Sequence, residues 1–215
     1  MYNLVYSCYT IFMPTALPEA VREEPARRLP RAKRREAILT GATRAFAERG
    51  YAATSMAAIA EASRITPLIV YRHFESKEDL YRSVLERVSA RLSDELGGDS
   101  EPGGFGVGAR SVLAAARRDP VGFRLLWRHA AREPLFCSYA AELREQAIDV
   151  VEAALAKRVS RDALRWAAHA VVGYLVEAVL NWLEFGDPKR DPQFVAATNG
   201  GMRAGVRAWS RHTDG

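Results

Sequence analysis

Apolar residues recur at helical spacing near the start of the ordered pattern. Apolar residues recur every three or four positions from 38 to 46, which predicts a helix over 30–49. Gly50 follows it, and glycine can adopt the left-handed conformation that often ends a helix. Thr54 is predicted to cap a second short helix, whose apolar face includes Ile59.

A third short helix is predicted from Pro67 to Phe74. Thr66 is its expected N-cap, and proline is favoured at the first helical position that follows. Val70 and Phe74 lie four residues apart and are expected to be buried together. Two helices joined by so short a turn cross steeply, which is typical of a helix-turn-helix.

A fourth helix is predicted from Lys77 to about Leu96. Ser76 and Asp79 have the spacing of a capping box at its start. Apolar residues then follow every four positions from Leu80 to Leu92, which predicts a buried stripe. This helix is therefore expected to link the small N-terminal part mechanically to the larger remainder.

The rest of the chain contains only helical patterns after a glycine-rich joint over 97–108. Proline, glycine and capping signals predict helices over 109–118, 121–132, 134–157, 160–185 and 192–209. With the first four, the chain is expected to contain nine helices. The predicted fold class is all-α, with a three-helix helix-turn-helix head and a larger C-terminal helical domain.

The predicted helix over 160–185 is hydrophobic around most of its circumference. Such a helix is buried on more than one side, and this one is interrupted by polar residues that disfavour a membrane span. A second subunit is therefore expected to cover it, together with the last helix. A stripe on this helix is predicted to line a ligand cavity, cross a dimer interface or face water: His169, Gly173, Glu177 and Asn181.

The positive charge is concentrated in the first part of the chain. Residues 27–91 contain 14 Lys or Arg and 7 Asp or Glu, whereas the whole chain has a net charge of +5. This asymmetry is the electrostatic footprint expected of a nucleic-acid-binding region. The two cysteines, Cys8 and Cys137, form neither a disulfide framework nor a metal motif, so a cytoplasmic protein without metal or cofactor is expected.

Three regions are predicted along the chain. Residues 1–29 form a disordered or loosely docked extension, in which Met13 is an alternative start to Met1. Residues 30–76 form the helix-turn-helix domain, and residues 77–215 form the ligand-binding and dimerisation domain. The basic arm before the first helix is expected either to reach DNA or to act as a solubilising tail.

Six groups of residues between positions 50 and 80 share one register: Gly50-Tyr51, Thr54-Ser55, Ile59-Ala60, Ile65-Thr66, Tyr71-Arg72-His73-Phe74 and Ser76-Lys77-Glu78-Asp79-Leu80. In this register the stretch resembles the DNA-binding domain of TetR-family transcriptional regulators, over about a quarter of the chain. The resemblance implies a homodimer held by the last two helices, about 160–185 and 192–209. It also implies double-stranded DNA and a small-molecule effector as partners, with no membrane.

The resemblance implies which residues contact DNA. Phosphate contacts fall on Tyr71, on Lys77 and on either Thr54 or Ser55. Base-edge or groove contacts fall on six more: Thr66, Pro67, Leu68, Ile69, Arg72 and His73. Leu68 and Ile69 are apolar where the family usually has small or polar residues, and they are expected either to touch thymine methyl groups or to pack on a neighbouring helix.

The turn before the third helix also departs from the family pattern. Ser63-Arg64 stands where an Ala-Gly pair is usual. Arg64 must therefore take a left-handed conformation, which is uncommon outside glycine, or the turn must differ.

The expected function is that of a dimeric repressor released from a palindromic operator by a small molecule. The alternative is a ligand-independent DNA-binding protein or co-regulator. An enzyme is not expected, because the chain has no nucleophile elbow, metal-ligand spacing or cofactor loop. The effector is expected to contact eight residues: Phe123, Trp127, His129, Trp166, His169, Tyr174, Glu177 and Asn181.

Overall fold

Helices make up nearly all of the described chain. The computed structural model describes residues 30–98 and 107–211, and these contain helices but no strand, which confirms the predicted all-α fold. The nine α-helices are α1 Arg31–Ala53, α2 Met56–Ala62, α3 Pro67–His73, α4 Lys77–Gly98, α5 Val107–Arg118, α6 Pro120–Arg124, α7 Cys137–Leu155, α8 Arg161–Phe185 and α9 Asp191–Arg211. We call α1–α3 the head and α5–α9 the body. The predicted extension over 1–29 and most of the predicted joint, residues 99–106, lie outside the described residues.

The chain changes direction inside α1, at Gly50. Its φ of 75° and ψ of 170° are not helical, so the predicted break is present. The prediction that Thr54 caps α2 is wrong, because its buried hydroxyl donates to the carbonyl of Gly50 at 2.7 Å and to that of Ala45 at 3.2 Å. Ser55 is the N-cap instead, and its Oγ accepts a hydrogen bond from the amide of Ala58 at 3.1 Å.

The turn between α2 and α3 depends on one left-handed residue. Arg64 has a φ of 55°, so the departure from glycine is accommodated by backbone strain and not by a different turn. The turn lies directly against α1 at Gly41. A Cβ added to Gly41 would be 2.2 Å from Oγ of Ser63, so only glycine allows this approach.

The start of α4 contains most of the predicted capping box. Oγ of Ser76 accepts from the amide of Asp79 at 3.0 Å, while the Asp79 carboxylate accepts from the amide of Glu75 at 3.1 Å. The stripe predicted from Leu80 to Leu92 is buried, and a second set on α4, Tyr81 and Leu85, is fully buried as well. Because α4 is covered on two sides, it is an internal helix of the protein.

The predicted helix over 121–132 is wrong as a single element. It consists of α6, a π turn at Leu125–His129 and a 3-10 turn at Ala130–Arg132. The helix predicted to open at Pro134 begins at Cys137, since the preceding residues complete this irregular connection. Hydrophobic periodicity does not separate a π turn from an α-helix, because both continue the buried face.

The core is shared between head and body. One buried apolar cluster extends from Ile38 on α1 to Leu180 on α8, and a second joins α8 to α9. α8 is long and apolar enough to cross a membrane, but half of its apolar stretch is buried inside the protein. That burial is typical of a core helix. The opposite face of α8 exposes Trp166 and Tyr174, so α8 is not buried all round within one chain.

The strained turn gives the first testable prediction. Replacing Arg64 with glycine should raise the free energy of unfolding by about 0.5–1 kcal/mol, because the left-handed conformation costs about 1–2 kcal/mol and glycine offsets part of that gain through chain entropy. Urea unfolding monitored by circular dichroism measures the change. The control is Arg203→Gly at an exposed position within α9, which should lower stability by about 1 kcal/mol. Equal losses in both variants would contradict the prediction.

Candidate nucleic-acid interface

Helix α3 is held by two buried side chains. Val70 is fully buried, and Phe74, the C-cap residue, is nearly so. The guanidinium of Arg35 on α1 lies 5.1 Å from the centre of the Phe74 ring. Thr66 is the N-cap by backbone conformation, although its side chain makes no capping hydrogen bond. The predicted anchoring of the third helix is therefore confirmed, and its other side is free to face outward.

The outward side of α3 is unusually apolar. Leu68 is 63% exposed and Tyr71 is 57% exposed, while Pro67 and Arg72 are exposed beside them. At this exposure Leu68 is not packed on a neighbouring helix of the described residues, which was one of its two expected roles. Isolated surface leucines need no explanation, but this one lies beside an aromatic ring and a cation on the projecting helix of a helix-turn-helix.

The other predicted contact residues differ in accessibility. Thr66 and Ser55 are exposed, whereas Ile69 and His73 are half-buried. Thr54 is only 1% exposed, and its hydroxyl is already committed to α1. Of the two alternatives for a phosphate contact at the start of α2, only Ser55 is therefore available at the surface.

Lys77 has a structural role that its motif position did not reveal. Its ammonium donates to the carbonyl of Tyr51 at 2.9 Å and to that of Ala52 at 3.3 Å. It also lies 4.4 Å from the centre of the Tyr51 ring, which is a cation–π contact. Lys77 thus joins the end of α1 to the start of α4, and a phosphate would have to use its remaining donor.

Positive charge converges at the end of α3. Burial lowers the pKa of His73, and Arg31, Arg34 and Arg35 of α1 lower it further. These arginines belong to the basic segment expected to reach DNA. Their electrostatic influence on His73 indicates that they lie near the C-terminal end of α3.

The eight residues predicted to contact an effector are not gathered around one cavity. Phe123 and Trp127 are buried in the core with ring centres 6.3 Å apart. His129 lies against α1. The other five are exposed or half-exposed on one face of α8: Trp166, His169, Tyr174, Glu177 and Asn181. Two clefts, of about 210 and 470 Å³, lie in the described part of the chain, and none of the eight residues lines either.

Sequence reasoning missed the aromatic cluster that joins head to body. The ring of Tyr81 on α4 lies 4.6 Å from Phe46 on α1 and 4.6 Å from Phe136 at the start of α7. Tyr51 completes the cluster, with its ring 4.9 Å from that of Phe136. Tyr81 follows Leu80 directly in the sequence. Two adjacent large apolar residues point to different sides of a helix, so this pair was the available signal that α4 is buried on two sides.

His129 makes a second link between head and body. It hydrogen-bonds the backbone of Ala47, which opposes the lowering of its pKa by burial. Its Nδ1 lies 3.9 Å from the point where a Cβ on Gly50 would stand. The π turn therefore ends on the part of α1 that leads into the helix-turn-helix.

Known proteins share this arrangement. Residues 38–84 match the sequence profile described as "Bacterial regulatory proteins, tetR family". The chain is a TetR-family DNA-binding regulator of transcription. Regulators of this family are transcription factors and not enzymes, which excludes the enzyme alternative.

Three relatives define the extent of the similarity. The HTH-type transcriptional activator FasR of Mycolicibacterium smegmatis is 28% identical over 172 residues, which cover 75% of this chain and 77% of FasR. The HTH-type transcriptional repressor Rv3405c of Mycobacterium tuberculosis is 46% identical over 57 residues, 26% of this chain and 30% of that protein. A TetR-like regulator from Rhodococcus sp. RHA1 has a TM-score of 0.71 at 21% identity, covering 83% of this chain and 98% of that one. The relatives include an activator and a repressor, so similarity does not fix the sign of regulation.

The basic environment of His73 gives a prediction for pH. DNA phosphates near the three arginines should raise the pKa of His73 above its value in the free protein, so binding should take up protons. Affinity should therefore be highest below the free-protein pKa and decline as pH rises through the pKa of the complex.

Fluorescence anisotropy at constant ionic strength, between about pH 5 and about pH 8, measures this dependence. His73→Gln should flatten it, whereas His169→Gln on α8 serves as the control and should leave it unchanged. A profile that is identical in wild type and His73→Gln would contradict the prediction.

Proposed function

We propose that the protein is a homodimeric repressor that binds a palindromic operator in double-stranded DNA and is released by a small-molecule effector. The observation that carries the DNA-binding part is the exposed face of α3, which places Leu68, Tyr71 and Arg72 together on an anchored helix. In this proposal α3 enters the major groove, and the half-sites lie a whole number of helical turns of about 10 bp apart. A cytoplasmic location follows from this function.

Different residues are proposed to supply affinity and specificity. Tyr71 donates a hydrogen bond to a phosphate, and Ser55 and Lys77 contact the same strand. Leu68 and Ile69 touch thymine methyl groups, while Thr66, Pro67, Arg72 and His73 complete the groove contacts. Phosphate contacts position the helix, whereas groove contacts distinguish sequences.

Dimerisation through the last two helices is supported by the outer face of α8. Trp166 is 49% exposed and packs edge-on against Trp209 of α9, with ring centres 5.0 Å apart. Tyr174 is 45% exposed on the same side. Large aromatic residues around small ones at Ala170 and Gly173 form a surface that a second copy of the chain covers in this proposal.

The effector is proposed to bind in the body beside Trp127. The indole nitrogen of Trp127 is buried without a hydrogen-bond partner, and Oγ of Ser111 on α5 is likewise buried and unpaired. A buried polar atom left unpaired costs about 1–3 kcal/mol, so a ligand that pairs with either atom would gain that energy. Binding must favour one of two arrangements of α4 to change DNA affinity.

The ligand-independent alternative also has an observation in its favour. Neither cleft is lined by Trp127, Ser111 or any other residue predicted to contact an effector. Soaking crystals or titrating the protein with hydrophobic compounds while monitoring Trp fluorescence distinguishes the two. Quenching that disappears in Trp127→Phe would support an effector.

The DNA-binding proposal is tested by two substitutions on one helix. Tyr71→Phe should weaken binding to every sequence by about 10- to 100-fold, because a hydrogen bond to a charged group contributes about 1.5–3 kcal/mol. Leu68→Ala should weaken binding mainly to the operator, by about tenfold at one A·T pair and little on unrelated DNA.

Anisotropy titrations on the operator, on single-base variants and on unrelated DNA at fixed salt separate these effects. The control is Tyr139→Phe, on α7 and away from α3. Lys77→Ala is a poor test, because it also removes two hydrogen bonds to α1. If both substitutions lowered affinity uniformly, α3 would not read sequence and this assignment would be wrong.

The dimer proposal predicts that Tyr174→Glu produces a monomer. In a two-fold symmetric interface the new carboxylate would lie close to Glu177 and its symmetry mates, so burial of the charges would be strongly unfavourable. Light scattering coupled to size-exclusion chromatography measures the mass. Val150→Glu, at a residue on α7 that is 65% exposed, introduces the same charge outside the proposed interface and should leave the dimer intact. A wild-type monomer, or dissociation by both variants, would contradict the proposal.

A further inference from the structure

A cleft of about 470 Å³ lies between the head and the body, at the junction of α1, α4 and the corner between α5 and α6. Four arginines and two acidic residues line it: Arg44, Arg87, Arg91, Arg118, Glu95 and Asp119. Its size falls in the range of small-molecule sites. None of the residues predicted to contact DNA or the effector takes part in its wall.

The guanidinium groups of the cleft outnumber the carboxylates available to them. Arg87 and Arg91 share Glu36, at 2.7 Å and 3.0 Å. Arg118 is paired with Glu95. Arg44 makes no ion pair with any described residue. Because each guanidinium carries five N–H donors, the cleft presents more donors than its own acceptors satisfy.

Both acidic lining residues already have partners of their own, although Asp119 also attracts Arg87 electrostatically. Glu95 is occupied by Arg118, and the carboxylate of Asp119 accepts a hydrogen bond from the amide of Gly122 at 2.8 Å as the N-cap of α6. Neither is paired with Arg44 or Arg91.

Arg87 has the clearest unmet requirement. Its side chain is only 12% exposed, and its Nε is buried without a hydrogen-bond partner. Its terminal nitrogens are already bonded to Glu36, Thr40 and Thr43. Burial lowers the pKa of Arg87, and the pairing with Glu36 only partly opposes this. An anion bound in the cleft would offset this excess positive charge.

We propose that this cleft binds the phosphate group of a small phosphorylated molecule, held chiefly by Arg44, Arg87 and Arg91. A phosphate presents three terminal oxygens, so it can accept from several guanidinium groups at once. DNA is not the source of this phosphate. Arg44 lies 13 residues beyond Arg31 on α1, about 20 Å along the helix from the basic residues near α3, and the cleft is too small for a duplex.

The position of the cleft gives the bound phosphate a structural consequence. Arg44 belongs to the head, Arg87 and Arg91 belong to α4, and Arg118 belongs to the body. A molecule that contacts all of them would tie the three together. It would stabilise the folded chain by an amount that grows with the logarithm of its concentration relative to Kd, because the unfolded chain has no such site.

The test uses pyrophosphate and inorganic phosphate with the full-length protein and no DNA. Calorimetric titration against pyrophosphate, with chloride added to match ionic strength, should give saturable binding of one ion per chain, and the thermal unfolding midpoint should rise. Arg44→Gln should weaken binding by about tenfold and reduce the rise at a given pyrophosphate concentration, while the fold is retained because Arg44 is exposed and makes no ion pair with a described residue. Arg49→Gln, the same charge change at an exposed residue of α1 outside the cleft, should bind like wild type.

Arg72→Gln tests whether pyrophosphate binds on the exposed face of α3 instead of in the cleft. The proposal is overturned if pyrophosphate does not bind saturably at matched ionic strength. It is overturned equally if Arg72→Gln weakens binding and Arg44→Gln does not, or if Arg44→Gln and Arg49→Gln weaken it to the same extent. Inorganic phosphate that binds as tightly as pyrophosphate would assign the site to the free ion and overturn the proposal of a phosphorylated molecule, whereas tighter binding of pyrophosphate would support it.

Discussion

The burial of α4 on two sides constrains the rest of the molecule. Tyr81 meets Phe46 of the head and Phe136 of the body at the same ring-to-ring distance of 4.6 Å. Each aromatic contact contributes about 0.5–1.5 kcal/mol beyond area burial, whereas the unpaired Tyr81 hydroxyl costs about 1–3 kcal/mol. The contacts therefore offset the buried hydroxyl without a large surplus.

The π turn is the irregular element nearest to this cluster. It carries Trp127 in its middle and ends at His129, which contacts α1 next to Gly50. π turns are rare and are often found at functional sites, because the extra residue in the turn loosens the local hydrogen bonding. A change at Trp127 therefore has a short route to the helix-turn-helix, through one turn of backbone and one histidine. This route and the aromatic cluster around Tyr81 both contact the last turn of α1.

Local chemistry determined which parts could be predicted from the sequence. Gly50, Pro67 and Ser76 act on their own backbone or that of close neighbours, so their positions in the chain predicted where helices end and begin. The roles of Thr54 and Lys77 could not be predicted in this way, because their hydrogen-bond partners are backbone carbonyls of α1. The exposed side of α8 could not be distinguished from its buried side, since both are apolar and only tertiary packing separates them. Arg87 was overlooked for the same reason, because its buried nitrogen has meaning only beside α1 and Glu36.

In the proposed binding mode, the apolar face of α3 separates two requirements of a regulator: capture of DNA of any sequence, and discrimination of the operator from other sequences. In the free protein, an exposed leucine contributes nothing to stability and loses about 25 cal/mol for each Å² of apolar area left in water. That free energy is recovered only when a complementary apolar surface covers it. The arginines of α1 attract any phosphate backbone, and they do so whatever the sequence. In the proposed binding mode, Leu68 and Ile69 respond only to the groove, so discrimination would rest on burial while encounter would rest on charge. Because the two depend differently on salt, raising ionic strength should weaken capture of all DNA and leave the ratio between operator and unrelated DNA governed by the apolar face.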